Sequence, residues 1–210
     1  MQLVFFEDAI QHIIGILRIL MQPRGNAMLI GVSGSGKQTL TKLAASILEH
    51  ESLQIKLSKN FTPQDFRDTI KEKMMPAGCD AKKTTFIFND TQIMYESFLE
   101  DVNNILNTGE ITNLYSKDDF STMETSLTRA LNKKKIPVNK DNIYDEYIEQ
   151  LRENFHIILC MSPVGDLLRN RCRKFPSLVN CCTLDWFFTW PEEALYGVAE
   201  QYLREVDIVP

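Results

Sequence analysis

Residues 31–39 read GVSGSGKQT, and what surrounds this stretch decides the fold. It satisfies the phosphate-binding pattern GxxxxGK[ST] through Lys37, while Gln38 stands where the pattern asks for a hydroxyl that ligates magnesium. Residues 27–30 before it form an apolar run of strand length. Residues 39–48 after it carry helical periodicity through Leu40, Leu43, Ala44 and Ile47. In a strand, glycine loop and helix, successive backbone N–H groups and a helix N-terminus converge on phosphate oxygens. Gly31, Gly34 and Gly36 permit the backbone angles and close approach, Ser33, Ser35 and Thr39 complete the loop, and Lys37 neutralises the outer phosphates. A glycine-rich turn that merely caps a helix leaves the lysine at its fixed offset unexplained. The spacing also differs from the GxGxxG of dinucleotide sites.

Working outward, Phe6, Ile10, Ile13, Ile14, Leu17 and Leu20 recur at helical spacing, so an amphipathic helix ended by Pro23 and Gly25 precedes the first strand. A second strand is expected at residues 53–57. Thr62-Pro63-Gln64-Asp65 then opens a helix that runs to about Met75, with a threonine cap and proline at the first helical position. Pro76, Gly78 and Asp80 make a turn before a third strand at 84–88. Phe98, Leu99, Val102, Ile105 and Leu106 mark another helix, closed near Gly109. Residues 112–142 are polar and charge-rich and read as a surface insertion with one or two short helices. A helix at 144–151, a fourth strand at 155–161 and a fifth at 179–184 follow. Strands alternating with helices imply a parallel sheet covered on both faces.

Composition bounds the function. A chain of 210 residues with 44% hydrophobic and 10% aromatic content can bury a core of its own. The net charge of −5 is mild and the cations are scattered, which argues against a nucleic-acid partner. Glu7 and Asp8 replace the basic start of a signal peptide, Arg18 interrupts the apolar run, and no run reaches membrane-spanning length, so the chain reads as intracellular. Five cysteines without CxxC spacing and three scattered histidines read as reduced thiols rather than a zinc site. The triplets Asn60-Phe61-Thr62 and Asn89-Asp90-Thr91 match the glycosylation pattern, which is idle in a cytosolic protein.

In an open α/β sheet, ligands sit beyond the carboxyl ends of the strands. ATPases with this loop normally end the third strand in two acids, one for the metal and one that aligns the attacking water. Here the run is FIFNDT, residues 86–91. With Asn89 in the metal position, Asp90 is a base with a shorter reach than glutamate. With Asp90 in the metal position, Thr91 leaves the base position empty. Neither register supplies a normal pair.

The blocks LVFFEDAIQHIIGILRIL (3–20), GVSGSGKQTLTKLA (31–44), FLEDVNNILNTGEITNLY (98–115) and LCMSPVGDLLRNRCRKFPSLVNCCTLDWFFTWPEEAL (159–195) together resemble the fourth AAA+ module of a dynein heavy chain, most similar to axonemal types. The resemblance covers essentially the whole chain. It implies an α/β P-loop NTPase fold: an AAA+ large subdomain over 1–210, with a five-stranded parallel sheet flanked by helices, the helical small subdomain and stalk being absent. It implies ATP or ADP as cofactor, with Mg2+ weakly held. Its implied partners are neighbouring AAA+ modules of the same heavy chain, other dynein subunits and, through the parent motor's stalk, microtubules. Neither nucleic acid nor membrane is among them. The implied location is the cytoplasm and its cytoskeleton, in the axoneme of a cilium or flagellum.

Residue by residue, the resemblance makes Lys37 the phosphate lysine. Gln38 replaces the hydroxyl residue, with a carbonyl oxygen able to approach magnesium in a different geometry. Asn89 and Asp90 align with the usual Asp-Glu pair, and Ser162 falls where the fourth strand offers an asparagine that positions water. Cys181 stands where related modules carry an arginine that reaches the neighbouring nucleotide. Leu3 and Val4 match the segment that covers adenine, although core packing explains them equally well. A general base contributes on the order of 10²–10⁴ in rate and an arginine finger roughly 10³ or more, and such groups act as a unit. Phosphate binding is therefore expected to survive where hydrolysis is weak or absent. The competing expectations are a slow but genuine ATPase with Asp90 as base, and a scaffold that binds nothing.

Overall fold

In a computed structural model, described for residues 6–204, the chain forms a five-stranded, wholly parallel sheet in the order β2-β3-β4-β1-β5. The strands are β1 (Ala27–Gly31), β2 (Glu51–Gln54), β3 (Thr84–Asn89), β4 (Phe155–Met161) and β5 (Thr183–Phe187). The central three, β1, β3 and β4, are buried at every residue, as parallel strands covered on both faces must be. Their side chains alternate between two cores. Phe86, Phe88, Ile157 and Leu159 face one, while Leu29, Ile87, Ile158 and Cys160 face the other.

The smaller core is roofed by α1 (Glu7–Leu20) and α2 (Lys37–Ile47), which bring Ile13, Ile16, Leu20, Leu40 and Ala44 onto the sheet. The larger core is covered by α3 (Pro63–Cys79), α4 (Glu96–Thr108), α5 (Lys117–Lys134) and α6 (Lys140–Asn154). After β4 come α7 (Leu167–Lys174) and α8 (Ser177–Asn180), and α9 (Glu192–Arg204) follows β5.

Several boundaries differ from expectation for identifiable reasons. The helix expected to stop near Met75 continues to Cys79 with Pro76 inside it. It persists because the Tyr147 ring of α6 lies against Gly78, where a Cβ would sit 2.3 Å from the ring. Packing against α6 outweighs the local breaker. β2 begins at Glu51 rather than Leu53, since pairing starts where the Glu51 N–H donates to the Lys83 carbonyl and Glu51 registers with Thr84. β5 begins at Thr183, because Pro176 opens the turn of α8 that buries Leu178.

Residues 112–142, expected as a surface insertion with short helices, hold the 18-residue α5. Ser116 and Asp119 cap it reciprocally, and Met123, Leu127 and Leu131, spaced four apart, bury one stripe in the larger core. A stripe one residue wide is easily lost among polar neighbours. Among the described residues, no helix is long and apolar enough to cross a membrane.

Candidate nucleotide-binding cleft

The carboxyl ends of β1, β3, β4 and β5 open into a cleft of about 840 Å3. The sheet register explains the convergence: Ile30 pairs with Met161, Gly31 with Phe187 and Asn89 with Cys160, so these strand ends lie side by side. The glycine loop forms the cleft's floor, and Ser33, Gly34, Ser35, Gly36, Lys37, Gln38 and Thr39 all line it.

Gly34 and Gly36 have φ of 82° and 90°, a region that only glycine enters without strain, and Gly36 caps α2. The left-handed turn points the first amides of α2, which have no intrahelical acceptor, into the concavity. Gly31 is required by packing, since a Cβ there would sit 2.6 Å from the Phe187 carbonyl oxygen. The Lys37 ammonium donates to the carbonyls of Gly31 (2.7 Å) and Val32 (2.8 Å) and to Ser35 Oγ (3.1 Å). Burial lowers its pKa from the ordinary lysine value, with Cys160 and Asp90 pulling partly the other way. Cys160, buried beneath it, has a thiol pushed up to about 12 by desolvation and stays neutral.

The residues expected to act on the phosphates are brought together in the same cleft. Asn89 ends β3, is 4% exposed, and its Oδ1 is buried with no hydrogen-bond partner among the described residues. Its backbone N–H donates to Gln92 Oε1, which fixes the turn that follows. Asp90 follows it, and its Oδ2 accepts the backbone N–H of Ser162, the residue just past β4 (3.0 Å). Gln38 is exposed, and its Oε1 accepts from Gln54 Nε2 at the end of β2 (3.0 Å).

This donor set can be weighed against the two groups that the loop implies. The glycine cradle, the helix amides and Lys37 fit a polyphosphate. Magnesium is a hard cation that prefers carboxylates, and here the metal position offers the neutral amide oxygen of Asn89 and a Gln38 oxygen already engaged by Gln54. Asn89 Oδ1 is buried and carries no charge. Among the described residues no three His, Cys, Asp or Glu side chains cluster to hold a metal. The site thus fits the nucleotide and not a firmly held magnesium.

Leu3 and Val4, expected over the base, lie outside the described residues. The side of the cleft that the sequence pattern leaves unmarked is built from α1 and the segment after β5. Phe6 and Trp190 pack with ring centroids 5.3 Å apart, and Trp190 lies over the loop, 3.9 Å from where a Gly36 Cβ would sit. His12 stacks on Phe187 and pairs with Asp185. The WFFTW run of residues 186–190 is the one local signal of this wall. Cys181 is remote from this cleft, beside Asn26 and Phe155 at the amino ends of β1 and β4.

The family profile described as "P-loop containing dynein motor region D4" matches residues 1–209. Among curated relatives, mouse "Dynein axonemal heavy chain 2" is 48% identical over 208 residues, 99% of this chain and 5% of that protein. Human "Dynein axonemal heavy chain 6" is 47% identical over 207 residues, 98% of this chain and 5% of that protein. The Chlamydomonas reinhardtii "Dynein-1-beta heavy chain, flagellar inner arm I1 complex" is 47% identical over 208 residues, 99% of this chain and 5% of that protein. The chain therefore spans about a twentieth of the length of these relatives. A solved structure, that of the Aeropyrum pernix ORC2 protein in ADPNP-ADP complexes, is alike over 97% of this chain and 52% of that one. Its 14% identity and TM-score of 0.48 are too low to add to the fold already described.

Proposed function

Since the chain belongs to the P-loop containing dynein motor region D4 family, we propose that it is a nucleotide-holding AAA+ module of an axonemal dynein heavy chain, which grips ATP or ADP and cleaves it slowly or not at all. Its contribution to the motor is then regulatory or structural. Neighbouring AAA+ modules of the same chain complete the site, other dynein subunits surround it, and microtubules are reached through the parent motor. The cytoskeleton of the ciliary or flagellar axoneme is the compartment this reading assigns.

The observation that carries the reading is the contrast within one cleft. The backbone cradle and Lys37 are in place, while the metal position holds neutral Asn89 and Gln38 is tied to Gln54. Phosphate recognition draws on amides and one ammonium, which this chain keeps. Hydrolysis draws on an aligned water and charge neutralisation, which it has weakened. Calorimetric titration with ATP and ADP, run beside a single-turnover phosphate-release assay in the full chain, tests this. Micromolar binding with release slower than about 0.01 s⁻¹ supports the reading, since kinases with a full set turn over at roughly 1–100 s⁻¹. Brisk release overturns the slow-hydrolysis half, and absent binding overturns the whole.

One observation favours a slow but genuine ATPase. Asp90 Oδ2 is held by the Ser162 N–H, and Oδ1 has no hydrogen-bond partner among the described residues, leaving an acceptor oriented from the strand end. Residual release that disappears in Asp90→Ala would establish that reading.

A further inference from the structure

The cleft has a polar floor and an aromatic wall, and on that wall lies one fixed polar side chain that phosphate chemistry does not use. Half-buried Trp190 supplies apolar surface of the kind on which a base stacks, next to the glycine loop, while Phe187 is buried behind it. His12 lies among them. Its Nδ1 is 2.9 Å from both carboxylate oxygens of Asp185, and its ring stacks on Phe187 with centroids 3.9 Å apart and planes 12° off parallel. Phe187 pairs in register with Gly31, where the phosphate loop begins, so the imidazole is fixed relative to that loop. Asp8 and Gln11, on the same helix, also line the cleft but are exposed to water. The His12 side chain is only 20% exposed.

The carboxylate of Asp185 can only accept, so Nδ1 carries the hydrogen and donates it. In the neutral ring Nε2 is then a bare acceptor, and it has no hydrogen-bond partner among the described residues. We propose that His12 reads the base in this cleft, its Nε2 accepting a hydrogen bond from the 6-amino group of an adenine nucleotide. This rests on the nucleotide-holding reading above and adds its specificity. A purine with a carbonyl at position 6 sets acceptor against acceptor at the same point, which is how a fixed polar group rejects a near-isostere. Asp185 is the positioning residue, acting through the tautomer it imposes.

The test is calorimetric titration of the full chain with ATP and with inosine triphosphate, which differ at position 6. The wild-type chain is expected to bind ATP about tenfold tighter, the value of one neutral hydrogen bond. His12→Phe keeps a ring to stack on Phe187 and removes the acceptor, so ATP is expected to fall to the level of inosine triphosphate, whose own affinity stays within twofold. Asp185→Asn can donate to Nδ1, which frees the other tautomer, so the preference is expected to relax toward inosine triphosphate. A histidine that serves only to hold α1 against β5 would lower both affinities together, and that result overturns the proposal. So does a wild-type chain that binds the two equally, or a preference that survives in His12→Phe. A chain that binds neither nucleotide removes the nucleotide-holding reading itself, and this proposal with it.

Discussion

Asp90 and Ser162 stand 72 residues apart in sequence, yet the Asp90 carboxylate accepts the Ser162 backbone N–H at 3.0 Å, tying the end of β3 to the end of β4. The bond fixes one carboxylate oxygen between the two strand ends, and the aspartate side chain is one methylene shorter than a glutamate. Lengthening the side chain and restoring an acid beside it should release the chemistry. Asn89→Asp combined with Asp90→Glu is expected to raise single-turnover hydrolysis by roughly a hundredfold, the low end of what a general base contributes. An unchanged rate would mean that the deficit lies elsewhere, for example in a group supplied by a neighbouring module.

The same substitutions bear on magnesium. On the proposed reading, with Asn89 neutral and Gln38 bonded to Gln54, a polyphosphate in the cleft would be held by amides and Lys37 with little help from metal. Chelating magnesium with EDTA should weaken ATP binding by less than about tenfold, within one or two ordinary hydrogen bonds. Gln38→Thr with Asn89→Asp supplies a hydroxyl and a charge, and should make binding depend on magnesium by a clearly larger factor. Calorimetry with and without EDTA on both proteins measures the difference, and equal dependence in the two would refute the assignment of Asn89 and Gln38 to the metal position.

Among the described residues Lys37 is the one lysine or arginine lining the cleft, and its ammonium makes three hydrogen bonds inside the loop. Because charge-assisted bonds are worth about 1.5–3 kcal/mol each, Lys37→Ala should weaken ATP binding by at least tenfold. AMP, which lacks the outer phosphates, should lose much less. Equal losses for the two ligands would show that the lysine merely supports the loop.

Much of this architecture is legible in the residues alone, and the reasons differ by element. β4 is readable to the residue because FHIILCM is a continuous apolar run in a fully buried parallel strand. The phosphate loop is readable because phosphate neutralisation requires a lysine at that fixed offset from the glycines, and a helix-capping turn does not. The extension of α3 past Pro76 is hidden, since its cause is the Tyr147 ring of a helix far along the chain. The aromatic wall of the cleft is hidden for a related reason. His12 and Asp185 are 173 residues apart, and only the β1–β5 pairing brings them together. Local patterns report local causes, and a pairing between residues this far apart leaves no trace beyond the aromatic run of residues 186–190.

A buried histidine pair should make folding sensitive to acid. His50 and His156 stack with centroids 5.3 Å apart; the His50 Nδ1 is 3.1 Å from Thr85 Oγ1 and the His156 Nδ1 is 2.8 Å from the Gly25 carbonyl oxygen. Burial lowers the His50 pKa to about 4, with His156 and Lys83 adding to the shift, and burial lowers that of His156 as well. Both folded values lie below the roughly 6.5 of an unfolded histidine. The unfolded chain therefore takes up protons first as pH falls, and stability is full above about pH 6.5 and declines from there toward pH 4. Thermal melts between pH 7.5 and 5, where ordinary carboxylates are still ionised, should show a falling Tm, and His50→Gln should flatten the slope. A melting temperature that stays level over that range would contradict the assignment.

Gly78 offers a test of what holds α3 to α6. A Cβ at this position would meet three atoms of the Tyr147 ring at 2.3, 2.6 and 2.9 Å, and that ring is wholly buried with its hydroxyl 2.7 Å from the hydroxyl of Tyr115. The ring has no free direction to retreat in, so Gly78→Ala must push the two helices apart despite alanine's better intrinsic helix propensity. Propensity favours alanine by about 1 kcal/mol at most. Overpacking costs about 1–3 kcal/mol, so the net change should be destabilising. At about 2–4 °C per kcal/mol for a chain of this size, the expected loss in Tm is a few degrees. Tyr147→Leu opens space but strands the Tyr115 hydroxyl and is itself destabilising. Adding Gly78→Ala to that background should therefore cost less than it does in the wild-type chain. The double-mutant cycle reads this directly: additive losses would show that the ring contact does not govern the glycine, and a smaller second loss would confirm that it does.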